Sequence, residues 1–277
     1  MEVNNMIKIP LKNFNISNSL PFVLIAGPCV IESRDHSLMM VEKIKKISNE
    51  LNINFIFKTS FDKANRTNVD SYRGLGIDDS IKVFQEIKKN FECPILTDVH
   101  NENQCSVFSK YVDIIQIPAF LCRQTDLIIA ASKTNKIINI KKGQFVSPNE
   151  MPNIIEKAVK VGNNNILLTE RGFSFGYNNL VTDFRSIEIM KKTKYPVIFD
   201  ATHSVQEPGG LGKSSGGKRE FIPALSKAAV SLGVAGLFIE THNDPDNAPS
   251  DGPNMIDLNN LKPLLKKLIA LDKVTKS

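Results

Sequence analysis

The feature that most limits the fold is a rhythm. From residue 21 onward, short continuous apolar runs alternate with longer segments whose apolar residues recur at helical spacing. The runs are PFVLIAG (21–27), INFIF (53–57), PILTD (94–98), DIIQI (113–117), KIINI (136–140), NILLTE (165–170), PVIFD (196–200) and AGLFIE (235–240). The pattern predicts helices over 33–51, 78–91, 101–111, 125–134, 149–162, 181–193, 221–233 and 257–274, with Ser33 as an N-cap and Gly162 as a stop. Strands this short and apolar are buried on both faces, as parallel strands in an α/β protein are. Eight such units without a composition break predict a (β/α)8 TIM barrel, one domain over 1–277. MIKIPLKNFNI (6–16) holds two short alternating runs around Pro10 and predicts a small β-hairpin cap within 1–20. The alternative is an open doubly wound sheet. That fold more often carries a glycine-rich phosphate turn after its first strand, and here the turn reads GPCVIES, without GxGxxG.

A barrel puts function in the loops that leave the C-terminal ends of its strands. Such segments are long and polar at 58–77, 201–220 and 241–256, whereas the returns from helix to strand are only a few residues. The densest is FKTSFDKANRT (57–67), with Lys58, Lys63 and Arg66 among hydroxyls and an amide, Asn65 and Thr67 included. Asp98 and His100 follow the third strand. Gln116 sits inside the fourth, and Arg123 comes after it. Lys141, Lys142 and Gln144 follow the fifth strand, Arg171 the sixth, and Asp200, His203 and Gln206 the seventh. At least five cations from four strands are expected at one mouth. Like charges that converge need an anion to offset them, and a phosphate monoester carries about −1.5 to −2 at neutral pH. The count predicts two phosphorylated molecules, or a phosphate ester plus a carboxylate. A second set is softer: Cys29, His203, Glu240 and Asp251 come from the first, seventh and eighth strands, which are neighbours once a barrel closes. Thiol, imidazole and carboxylates together suit a first-row divalent metal. Each taken singly also fits a structural residue.

Charge and cysteine usage exclude other classes. The net charge is +6, but much of the lysine lies on helix faces such as KIKK (43–46) and LKKL (265–268), and there is no Trp. This predicts no nucleic-acid partner. No apolar run approaches the ~20 residues of a membrane span, and the N-terminus lacks a secretory core and cleavage site. The four cysteines, Cys29, Cys93, Cys105 and Cys122, show no paired spacing, which predicts reduced thiols and a cytoplasmic protein.

IAGPCVIES, FKTSFDKANRT, DIIQIPAFLCRQTDL, KKGQF, LTERGFSFGYNNLVTDFRS, DATHSVQEPGG and SGGKREF closely resemble the 3-deoxy-D-manno-octulosonate 8-phosphate synthase family, and the likeness covers nearly the whole chain. The resemblance implies the same barrel. It implies condensation of phosphoenolpyruvate with D-arabinose 5-phosphate and water, on the route to the sugar acid of lipopolysaccharide. It assigns Lys58, Lys63, Gln116, Lys141 and Arg171 to phosphoenolpyruvate. Asn65, Arg66 and Thr67 fall to the sugar phosphate, and Arg123 to a loop reaching a neighbouring subunit's site, which implies a homotetramer. Catalytic roles fall on Lys58, Lys63 and His203, with Asp98 and Asp251 steering the water. The family has a metal-dependent branch with Cys in the first loop, so Cys29, His203, Glu240 and Asp251 are expected to hold Fe, Zn, Mn or Co. The sibling synthase, which uses erythrose 4-phosphate, typically reads KPRT where this chain has KANRT.

Overall fold

The computed structural model describes residues 6–210 and 215–277; residues 1–5 of the expected cap and 211–214 of the seventh loop lie outside these. Among the described residues the alternation holds throughout. The barrel strands are β1 (Val23–Gly27), β2 (Phe55–Lys58), β3 (Ile95–Asp98), β4 (Ile114–Ile117), β5 (Ile137–Lys141), β6 (Ile166–Glu170), β7 (Val197–Asp200) and β8 (Gly236–His242). Each is followed by its helix: α1 (Arg34–Glu50), α2 (Ile77–Phe91), α3 (Glu102–Phe108), α4 (Thr125–Lys133), α5 (Met151–Val159), α6 (Arg185–Lys191), α7 (Ile222–Ser231) and α8 (Leu258–Thr275). All pairings between neighbouring barrel strands are parallel, and β8 pairs with both β7 and β1, so the sheet closes.

Two differences from the expected boundaries have local causes. α6 begins at Arg185, not 181, because Leu180–Val181 pairs antiparallel with Phe173–Ser174. The Asp183 carboxylate then accepts from the Arg185 backbone N–H, a local bond that competes with an earlier helical start. β8 runs two residues past the apolar run because Thr241 and His242 pair with Ile256 and Asp257. Ser33 caps α1 as expected, accepting from His36 N.

Alternation along each strand sets the radial order. Leu24, Phe57, Ile95, Ile115 and Phe199 face outward and join the helices in one apolar cluster. Val23, Ile25, Ile56, Leu96, Ile114, Ile137, Leu167, Ile198 and Phe238 face inward in a second. The N-terminal hairpin (Ile9–Leu11 with Phe14–Ile16) adds Ile9, Leu11 and Ile16 to that inner cluster and plugs the barrel at the N-terminal ends of its strands. Asn18 pins the plug, donating to Tyr195 O and accepting from Val197 N, both at 2.9 Å.

Gly27, at the tip of β1, allows β2 to approach. A Cβ there would lie 2.0 Å from the Lys58 carbonyl oxygen. Gly27→Ala is therefore expected to destabilise the fold by about 3 kcal/mol or more through overpacking against backbone. Urea denaturation measures this.

Candidate active site

Above the inner apolar layer, the same alternation delivers polar side chains. Two residues beyond Ile56, Leu96, Ile114 and Ile198 stand Lys58, Asp98, Gln116 and Asp200; two beyond Phe238 stands Glu240, and all are buried. On β5 and β6 the pattern continues through Asn139 to Lys141 and through Thr169 to Arg171. Asn139 Nδ2 donates to Gln116 Oε1 at 3.0 Å, and Thr169 Oγ1 to Asn139 Oδ1 at 2.6 Å, a ladder that fixes Gln116. Asn139 and Thr169 were not anticipated as site residues. Reading the strands at period two, not as uniform apolar runs, would have found them.

The C-terminal loops enclose a cavity of about 680 Å³ over this layer. Lys58, Lys63, Arg66, Lys141 and Arg171 line it, with Asn65, Thr67, Gln116, Asp98 and His203. The five cations come from β2, β5 and β6, three strands where four were expected. Lys142 is turned away to pair with Glu170 at 3.6 Å. Arg123 is exposed and does not line its own chain's cavity. Two guanidinium nitrogens, Arg66 Nη2 and Arg171 Nη1, are buried without a hydrogen-bond partner among the described residues. Unpaired buried donors of this kind are costly unless a ligand satisfies them. Burial depresses the Arg171 pKa, and Asp200, Glu170 and Asp251 only partly offset that. Burial likewise depresses Lys141, against the pull of Asp200.

Each cation is aimed. Lys58 Nζ donates to Cys29 O at 3.0 Å and forms a buried ion pair with Glu240 Oε1. Lys141 Nζ meets Asp200 Oδ2 at 2.6 Å and lies 3.9 Å from the centre of the Phe238 ring. Lys63 Nζ donates to Ser60 Oγ at 2.9 Å, and Ser60 donates to Asp98 Oδ1. Burial disfavours the Lys63 ammonium, but the Cys29 sulfur and the Glu240, Asp98 and Asp251 carboxylates outweigh it and raise its pKa. Asp98 also bonds His100 Nε2 at 3.0 Å. Burial opposes its charge, yet His100, Lys63 and Lys58 hold its carboxyl well below the usual range.

At the floor, the four candidate metal ligands converge. Donor atoms of Cys29, Glu240 and Asp251 lie within 4.8 Å of one another. His203 Nε2 is 3.7 Å from Glu240 Oε2 and from Asp251 Oδ2. Asp200 orients His203, taking its backbone N–H at 2.9 Å and bonding Nδ1 at 2.8 Å, so that Nε2 faces the cluster. Cys29 Sγ contacts Ser250 Oγ at 2.9 Å and Asp251 Oδ2 at 3.2 Å. Burial, with Asp251 and Glu240 beside it, pushes the thiol up. Asp251 holds left-handed backbone, φ 52°, uncommon for a residue with a side chain. Glu240 Oε2 is fully buried with no hydrogen-bond partner among the described residues. That orphaned oxygen, beside a thiol, an imidazole and a second carboxylate, fits a divalent cation.

A closed (β/α)8 barrel with a cation-lined cavity at its strand C-termini, above a cysteine–histidine–carboxylate cluster, defines an enzyme that handles phosphorylated anions. The comparisons narrow the class: residues 6–277 match the DAHP synthetase I family, and the chain belongs to that family. It is 56% identical over 275 residues to the 2-dehydro-3-deoxyphosphooctonate aldolase of Bartonella henselae, covering 99% of this chain and 98% of that one. It is 60% identical over 268 residues to the aldolase of the same name from Rickettsia bellii (97% and 98% covered). With that of Brucella anthropi it shares 55% over 273 residues (99% and 98%). No helix among the described residues is long and apolar enough to cross a membrane.

Proposed function

We propose that this enzyme condenses phosphoenolpyruvate with D-arabinose 5-phosphate and water. The products are 3-deoxy-D-manno-octulosonate 8-phosphate and inorganic phosphate, a step towards the eight-carbon sugar acid of lipopolysaccharide. The relatives' name describes an octonate phosphate, and eight carbons divide into a three-carbon enol and a five-carbon aldose. The observation that carries the reading is the cavity: five lining cations, with two unpaired guanidinium nitrogens, match two phosphates and a carboxylate.

In this reading Lys58, Lys63, Gln116, Lys141 and Arg171 hold phosphoenolpyruvate over the polar layer, and Asn65, Arg66 and Thr67 take the sugar phosphate at the rim. C3 of the enol bonds to the aldehyde carbon, whose oxygen takes a proton. Water adds to C2, its first proton balancing the one taken by the aldehyde oxygen. The C2–O bond to the phosphate then breaks as the new hydroxyl gives its proton to the departing phosphate, leaving the ketone and inorganic phosphate. The cations orient the two anions and screen their repulsion. Asp98, tethered by Ser60 and His100, and Asp251 steer the water. His203 turns Nε2 to the metal cluster and influences proton movement through Nδ1, which it shares with Asp200. Cys29, His203, Glu240 and Asp251 hold a divalent metal drawn from Fe, Zn, Mn and Co. When bound, it supplies Lewis-acid stabilisation of developing oxygen charge. Exposed Arg123 on the fourth loop is placed away from its own chain's cavity, in keeping with a loop that serves a neighbour in the homotetramer the family resemblance implies. Four free, buried cysteines support a cytoplasmic setting.

The test is turnover with each aldose phosphate, with and without chelator. Arabinose 5-phosphate is expected to react and erythrose 4-phosphate to be a far poorer substrate. Chelator is expected to stop the reaction and added cation to restore it. The opposite aldose preference would overturn this reading in favour of the sibling synthase. Arg66→Ala removes a charge-assisted contact, worth about 1.5–3 kcal/mol. The KM for arabinose 5-phosphate is expected to rise roughly tenfold to a hundredfold, with that for phosphoenolpyruvate little changed.

A further inference from the structure

Four side chains that do not line the cavity meet where the first loop, the start of α1, the second loop and the end of β8 come together: Glu32, His36, Tyr72 and His242. Glu32 Oε1 and His242 Nε2 are 2.9 Å apart. His242 Nδ1 accepts the backbone N–H of Asp244 at 2.9 Å. The His36 ring packs on that of His242 with centroids 4.7 Å apart, and His36 Nε2 bonds Asn243 Oδ1 at 2.9 Å. Tyr72 OH donates to the carbonyl oxygens of Ile31 and Glu32 at 2.9 and 3.1 Å.

Donor atoms of Glu32, His36 and His242 lie within 4.8 Å of one another, which raises the question of a second cation. The His242 tautomer answers it. An amide N–H can only donate, so Nδ1 is the accepting nitrogen and the ring proton sits on Nε2, directed at Glu32. The neutral ring has no lone pair left for a metal. What the cluster does is join chain segments. Glu32 follows Cys29 by three residues, and His242 follows Glu240 by two. One side-chain bond therefore ties the loop of one candidate ligand to the strand end of another, at the start of the loop that carries Asp251.

We propose that Glu32 is a positioning residue: by accepting from His242 it locks the first loop to the end of β8, keeping Cys29 converged on Glu240 and Asp251. The consequence for metal affinity rests on the metal reading given above; the consequence for Cys29 itself does not. The Glu240 and Asp251 carboxylates repel one another when no cation lies between them, and Glu32 ties the loop that carries Cys29 to the strand that carries Glu240.

Glu32→Ala and Glu32→Gln separate this from a general structural role, because the glutamine oxygen still accepts from His242 Nε2. Two readouts are taken on metal-stripped protein. One is the alkylation rate of each cysteine by iodoacetamide, resolved by peptide mass. The other is cobalt affinity, followed through the thiolate-to-cobalt absorption band. Glu32→Ala is expected to speed labelling of Cys29 about tenfold and weaken cobalt binding about 10–100-fold, with Glu32→Gln within about threefold of the parent in both. Cys29 labelling at the parent rate in Glu32→Ala overturns the proposal. So does equal acceleration at Cys93, Cys105 and Cys122, or a glutamine variant as impaired as the alanine one. If the parent gives no cobalt band, the metal reading falls, and the labelling rates alone decide for or against the brace.

Discussion

Cys29→Ala is expected to yield a folded protein that retains no stoichiometric divalent metal and loses nearly all turnover. Removing an outer partner of a metal ligand typically costs about 10–100-fold, so removing a ligand is expected to cost more. The chemical reason is local. Cys29 Sγ supplies the sulfur in a cluster whose other donors are two carboxylates and an imidazole, and Glu240 Oε2 has no hydrogen-bond partner among the described residues. Without the sulfur, a first-row divalent cation is expected to be held more weakly by the remaining oxygen-rich donor set. Metal content by elemental analysis and turnover with both substrates are measured on the same sample. A variant that keeps full activity in chelator would sink the metal assignment. Thermal stability in chelator is the control, because alanine in place of a buried cysteine is a modest volume change.

Lys58→Met is expected to damage stability and catalysis together. The Lys58 and Glu240 side chains are 2% and 0% exposed, and the lysine also donates to the Cys29 carbonyl. Removing one partner of a buried ion pair leaves an uncompensated charge, at a cost of about 3–5 kcal/mol. Here the orphan would be Glu240, held in its charged form against burial by Lys58, His203 and Lys63. Loss of Lys58 is therefore expected to push the Glu240 carboxyl upward. Urea denaturation in chelator reads the stability term. Unchanged stability would mean that Lys63 and His203 suffice to balance Glu240. Added divalent cation is expected to restore part of the loss, because it supplies positive charge at the same carboxylate.

The barrel was legible because its signal repeats. Each strand–helix unit carries the period itself, and eight consistent readings support one another even where single boundaries slip by a few residues. The slip at α6 arose because Leu180 and Val181 are apolar at helical spacing, yet they pair across to Phe173–Ser174, a tertiary choice that spacing does not encode. The site was legible at the level of residue type after each strand. Direction was not. Lys141 and Lys142 are neighbours in sequence, but strand alternation turns one into the barrel and the other out to Glu170. Asn139 and Thr169 were hidden inside runs read as apolar. The brace at Glu32 was invisible for a different reason: its partner is 210 residues away, and only closure of β8 onto β1 brings the two together.

The hairpin that seals the barrel floor also sets rules of traffic. Among the described residues, Ile9, Leu11 and Ile16 pack against the inner apolar layer at that end, which leaves the rim as the way into the cavity. Lys141 and Arg171 are buried inside it, whereas Asn65 and Thr67 stand exposed at the edge. A molecule seated on the inner cations is shut in by whatever settles afterwards on the outer residues. Depth in this vestibule becomes a queue: a guest for the inner cations is expected to arrive before one for the rim.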